Sequence, residues 1–199
     1  MELSIIISTL AGLGYCLAYL DYNRNVFTGE TKPNGATWAI WSAVSFVSTG
    51  SYIANSADFW KSLIPILNII LCIATFVLAL VAGKLKKLDV SDWIALGLGL
   101  VAALVWAVNK SAQNANLIVQ VAIMVGFVPT WRAVWATPAS EHPRPWWIWS
   151  VSYAVSIIVV LLRWKNQRID LVYPVVCTVL HASVPIVCFF RSRRMLKKS

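Results

Sequence analysis

The sequence predicts an all-α integral membrane protein with seven transmembrane helices: two parallel three-helix repeats joined by a linker helix (3+1+3). Three observations carry this reading. The chain of 199 residues is 59% hydrophobic and 13% charged, against roughly 45–50% and about 25% for soluble domains. Seven apolar segments fill it, and one spanning helix takes about 20 residues. Residues 38–48, WAIWSAVSFVS, recur as residues 146–156, WWIWSVSYAVS, with six of eleven positions identical.

The segments follow in order. The first, Leu3–Leu20, carries Glu2 where a signal peptide has a basic stretch, and shows no clear cleavage site, so it reads as a span. The second, Thr37–Ile53, opens on Trp38 and Trp41. The third, Ser62–Ala82, holds Pro65 and Asn68; the fourth, Trp93–Val108, is a plain apolar run. The fifth, Asn116–Val134, contains Pro129. The sixth, Trp146–Leu162, opens on Trp146, Trp147 and Trp149; the seventh, Leu171–Phe190, holds Pro174, Cys177, His181 and Pro185.

The repeat dictates the topology. The matched windows lie 108 residues apart; Pro65 faces Pro174 at 109, and Gly14-Tyr15 faces Gly126-Phe127 at 112. Lys32-Pro33 and His142-Pro143 precede the two windows. A three-helix unit that starts outside ends inside, so a parallel second copy needs one extra crossing. The fourth segment supplies it. The expected units are residues 1–85, a linker helix at 86–112, and residues 113–199 with a basic tail.

Net charge is +9, but Arg191, Arg193, Arg194, Lys197 and Lys198 crowd the C-terminus and the other bases sit at segment ends. That is topology charge, not a nucleic-acid face. Of the 17 bases, twelve fall with the C-terminal tail and five on the opposite side. The C-terminus is therefore expected in the cytoplasm, the N-terminus outside, and the chain in the cell (inner) membrane. Cys16, Cys72, Cys177 and Cys188 lie in apolar segments without a C-x-x-C. Neither a disulfide framework nor a metal site is expected, and no cofactor.

These residues resemble a family. Thr31-Lys32-Pro33-Asn34 with Thr37-Trp38 and Trp41, and Gly126 with Pro129-Thr130-Trp131-Arg132, Pro138, Ser140 and Glu141, are similar to small prokaryotic proteins of the SWEET/PQ-loop superfamily. The resemblance implies alternating access of small solutes between two three-helix bundles; some members act as receptors instead. The chain departs from the pattern. Pro33-Asn34 and Pro143-Arg144 stand where the family has Pro-Gln, Leu17 replaces the first-helix hinge proline, and Cys177 replaces a pocket asparagine that Asn68 matches.

Polar groups at mid-membrane are functional candidates. Asn68, Cys72 and Thr75 share one helical face, and Cys177, His181 and Val184 are their repeat partners. Asn68 and His181 serve either as interhelical glue or as a solute site. Trp41 and Trp149 lie a turn deeper than Trp38 and Trp146 and precede Ser42 and Ser150; they form either an aromatic belt or a cavity wall. Pro65, Pro129 and Pro174 are either static kinks or hinges. Asp21, Asp58, Asp92 and Asp170 fall near segment ends, and no catalytic constellation emerges, so no enzyme is expected. The expected function is a carrier of a small polar solute (sugar, nucleoside or amino acid) by facilitated diffusion. The alternative is a seven-helix receptor or interaction protein. The expected partners are the lipid bilayer and that solute; homo-oligomerisation stays open.

Overall fold

A computed structural model describes residues 2–31, 35–81 and 90–196, and every regular element among them is helical. In order these are α1 (Glu2–Thr28), α2 (Gly35–Ser56), α3 (Phe59–Val81), α4 (Val90–Asn109), α5 (Ala112–Gly126), α6 (Val128–Ala136), α7 (Pro143–Leu162) and α8 (Val172–Leu196). Short 3-10 turns, Pro138–Ser140 and Arg168–Leu171, precede α7 and α8. Lys32-Pro33, Asn34, the bases Lys84, Lys86 and Lys87, and the terminal lysines lie outside the described residues.

The helix faces are arranged for a bilayer. On α1, Leu3, Ile6, Leu10, Leu13, Leu17 and Leu20 point outward, each more than half exposed. The opposite face buries Ser4, Ser8, Ala11, Tyr15, Tyr19 and Tyr22. A soluble helix puts leucine in and serine out; this one does the reverse. Among the described residues six stretches are long and apolar enough to cross a membrane: Glu2–Thr28, Phe59–Val81, Val90–Asn109, Ala112–Ala136, Pro143–Leu162 and Arg168–Arg194. The chain has the build of a multi-pass membrane protein.

The expected second span is not among the six. The segment Thr37–Ile53 does form a helix, α2, but Ser42, Ser45, Ser48 and Ser51 lower its apolarity. The reason it tolerates them is position. α2 packs against α3, α4 and α5, so little of it needs to meet lipid. Small residues every third position permit that close packing. Three of these hydroxyls bond backbone of their own helix: Ser42 to Trp38 O, Ser45 to Ser42 O and Ser51 to Ser48 O.

The fifth span is two helices. α5 stops at Gly126, Phe127 stands between, and α6 resumes with Pro129 as its second residue. Proline lacks the N–H that would continue the ladder. With Leu17 at the matching turn, α1 runs unbroken. Pro65 and Pro185 do lie inside helices. Pro174, expected inside a helix, is instead the third residue of α8. Its missing N–H falls in the first turn, where no intrahelical partner exists anyway, so it removes no ladder bond.

α3 packs against both α1 and α2, and α8 against both α7 and α5–α6. α1 also packs on α7, and α2 on α5, while α4 lies against α5 and α2.

Candidate functional site

An internal cavity lies where α1, α2, α3, α5, α7 and α8 converge. Asn68, His181, Trp41, Trp149 and Cys177 all line it, and so does Cys72. Asn68 and His181 each sit ten residues into their helices, α3 and α8. Ser42 and Ser150 do not line it. Ser42 is tied to its own helix, and Ser150 Oγ donates to Thr178 O at 2.9 Å, which pins α7 to α8. Thr75 and Val184 are buried in the surrounding packing.

The polar groups of the wall are held rigidly. Asn68 Oδ1 accepts from Tyr15 Oη at 2.7 Å, Tyr19 Oη at 3.1 Å and Cys72 Sγ at 3.3 Å. Its carbonyl oxygen is saturated, which leaves the amide N–H groups as its donors to a guest. His181 Nδ1 donates to Cys177 O at 2.7 Å. A carbonyl only accepts, so the proton is on Nδ1 and Nε2 is left as an acceptor. The His181 ring is boxed by Tyr153 at 4.9 Å, Phe127 at 5.2 Å, Trp146 at 5.7 Å and Trp149 at 5.8 Å between centroids. Trp41 Nε1 and Trp149 Nε1 are buried and have no hydrogen-bond partner among the described residues. Unpaired buried donors are rare and costly.

Sequence reasoning missed much of the wall: Tyr19, Trp38, Phe127, Tyr153 and Tyr173 also line the cavity. A signal existed. Tyr15, Tyr19 and Tyr22 recur at i, i+4 and i+7, which aligns them on one face of α1. Trp146, Trp149 and Tyr153, at i, i+3 and i+7, likewise share one face of α7. The wall contains no Asp, Glu, Lys or Arg. It suits a neutral guest with a ring face and hydrogen-bonding edges. The cavity volume is about 40 Å³, room for a few waters at about 10–15 Å³ each. Pockets for organic ligands run at about 300–1,000 Å³. In this form the site is shut.

Both ends of the bundle are fastened. At the end of the α2–α3 and α7–α8 loops, Lys61 Nζ and Asp170 Oδ2 pair at 2.7 Å with both side chains fully buried. Tyr52 Oη donates to Asp170 O at 3.0 Å. Beside them Arg163 Nε donates to Asp58 at 2.9 Å, and Arg163 Nη1 to Ser4 Oγ at 3.1 Å. Asp58 Oδ1 also caps α3, accepting from Trp60 N and Lys61 N. Burial pushes the Asp58 carboxyl up, but Arg163 and these backbone donors outweigh it and hold it below the usual carboxylate range. At the other end Arg144 forks onto Asp21, with Nε at 2.8 Å from Oδ2. His142 N donates to Thr31 Oγ1 at 3.3 Å.

Among the described residues no group of three or more His, Cys, Asp or Glu is placed to hold a metal ion. No protein-family model matches the chain, and neither a curated protein nor a solved structure matches it.

Proposed function

We propose that this chain is a SWEET-like carrier that moves a small, uncharged polar solute by alternating access, in the facilitated-diffusion mode. The observation that carries the reading is the shut aromatic cavity, with Asn68, His181 and two unpaired indole donors on its wall and separate fastenings at each end. A carrier needs a site reachable from either side but never from both at once. In this reading the α2–α3/α7–α8 end faces outside and the basic tail faces the cytoplasm.

The packing supports a 3+1+3 arrangement. If α1 is exchanged with α5–α6, α2 with α7 and α3 with α8, three of the main packed pairs map onto others. α1–α3 becomes α5–α6 with α8, α2–α3 becomes α7–α8, and α1–α7 becomes α5–α2. These matches favour two like bundles, which in this reading are related by a twofold axis along the membrane normal with α4 as the extra crossing. Trp41 with Trp149, Asn68 with Cys177, and Cys72 with His181 are exchange partners in the cavity wall. The break at Phe127, next to Pro129, supplies one place for the second bundle to flex. Pro65 is a second hinge candidate.

The test has two arms. Purified protein is screened for thermal stabilisation by sugars, nucleosides and amino acids, since a ligand of the folded state raises apparent stability. Any stabilising solute is then followed into proteoliposomes. Stabilisation with saturable uptake, both lost in Asn68→Ala, is the expected result. Stabilisation without uptake makes the chain a receptor and overturns the carrier.

A further inference from the structure

The cavity wall is uncharged, yet a carboxyl lies just behind it. Glu141 is 7% exposed and precedes α7. The Tyr22 hydroxyl donates to its Oε1 at 3.4 Å, and Trp146 Nε1 donates to its Oε2 at 3.1 Å. Tyr22 belongs to α1 and Trp146 to α7, so one carboxyl clasps two helices. The Tyr22 hydroxyl accepts in turn from Trp38 Nε1 at 3.3 Å, and Trp38 lines the cavity. On its other side Glu141 lines a surface pocket with Glu30, His142, Cys188 and Arg193.

None of these neighbours neutralises it. From α1 it meets the Tyr22 hydroxyl, and from the segment after α1 the exposed Glu30. From α8 it meets the buried Cys188 thiol and Arg193, which is exposed with its guanidinium over the Phe189 ring at 4.2 Å. His142 Nδ1 accepts from Arg144 N, and Arg144 itself is engaged with Asp21. Among the described residues no Lys or Arg forms an ion pair with Glu141.

We propose that Glu141 is a proton-binding site whose protonation favours closure of the α1–α7 mouth of the cavity. The inference rests on the alternating-access reading only in requiring that this mouth opens; it requires no solute. A carboxyl removed from water, and paired with no base among the described residues, favours its neutral form. Burial pushes Glu141 up to about 8, against the pull of the Trp146 and Tyr22 donors. Parting α1 from α7 hydrates the carboxyl and returns it toward the ordinary value of about 4.3. The acid O–H then breaks heterolytically, and the proton passes to water in the surface pocket.

The sign follows from linkage. The closed form has the raised value and binds the proton more tightly. Protonation therefore supports closure fully below about pH 4.3, the open-form value. That support is lost as pH rises through about 8. Between the two values one proton leaves per opening, so the open-to-closed ratio rises by up to about tenfold per pH unit.

The experiment uses the full chain in lipid nanodiscs, and its reporters are native. Cys72 and Cys177 line the shut cavity and are both buried, so a water-soluble methanethiosulfonate reaches them only through an open mouth. Labelling rates of these two thiols, resolved from Cys16 and Cys188 by peptide mass spectrometry, are followed between about pH 6 and about pH 9, in wild type and in Glu141→Gln, which keeps a neutral side chain at every pH. Their ratio cancels the ionisation of the thiols. A wild-type to variant ratio that climbs with pH, by up to about tenfold per unit, is expected. A flat ratio overturns the coupling and leaves alternating access standing; no labelling at any pH in either protein defeats both. A second measurement needs no variant. Infrared titration of wild type should show a protonated carboxyl near neutral pH that disappears toward about pH 9. Its absence near neutral pH overturns the proton site whether or not Glu141→Gln folds.

Discussion

Gly126 ends α5 at the point where the Trp41 indole lies against the backbone. A methyl group there would meet Trp41 Nε1 at 2.6 Å and Cδ1 at 3.1 Å. The ring has little room to retreat. Its centroid is 4.9 Å from that of Phe127 and 5.1 Å from that of Trp38, with Trp146 at 6.3 Å. Overpacking of this kind costs about 1–3 kcal/mol. Alanine regains up to about 1 kcal/mol in a helix interior, and less at a terminal position. Gly126→Ala should therefore destabilise by about 1–2 kcal/mol net. In a chain of this size that lowers the apparent Tm by about 2–8 °C. The assay is thermal unfolding of purified protein, repeated in a Trp41→Phe background. A phenyl ring lacks the Nε1 edge, so the glycine substitution should cost less there, with a coupling of at least about 0.5 kcal/mol. A variant that melts at or above the wild-type temperature, or loses the same stability beside Phe at position 41, would refute the reasoning.

Breaking the buried Lys61–Asp170 pair is the severest single change expected. Lys61→Met strands a buried carboxylate and should cost about 3–5 kcal/mol, while Lys61→Met with Asp170→Leu recovers most of the loss in chemical unfolding. The Asp58 carboxyl is held below its usual range. Its contribution to stability is therefore present above the unfolded value of about 3.9 and lost as pH falls through the lower folded value. Thermal unfolding below about pH 4 should show an acid limb that is shallower in Asp58→Asn. Pro129→Ala restores a ladder donor beside the Phe127 break. It should slow uptake of an identified solute while leaving the binding-induced thermal shift unchanged; unchanged uptake by a folded variant removes the hinge role.

The apolar build was legible because hydrocarbon demands it locally. A span must satisfy its backbone internally and show apolar side chains to lipid, so Leu3–Leu20 and Ser62–Ala82 announce themselves residue by residue. The interruption of the fifth span was legible too, because proline acts on its own backbone wherever it stands. The halves of the candidate site were visible as matched positions: Asn68 and His181, Trp41 and Trp149, all on one cavity wall. Tertiary structure decided the rest. Ser42 read as a site residue, yet it bonds Trp38 O of its own helix while α3, α4 and α5 pack around α2. Ser150 resembles Ser42 in sequence, yet it reaches another helix while Ser42 turns back on its own. Glu141 entered the sequence reading only as part of the family resemblance; only the approach of α1 to α7 puts Tyr22 and Trp146 onto it and buries it. Lys61 and Asp170 lie 109 residues apart, and nothing local pairs them. Periodicity records which face a residue occupies, because helix geometry is set within a few residues. What that face meets depends on contacts far along the chain, and those belong to the folded bundle alone.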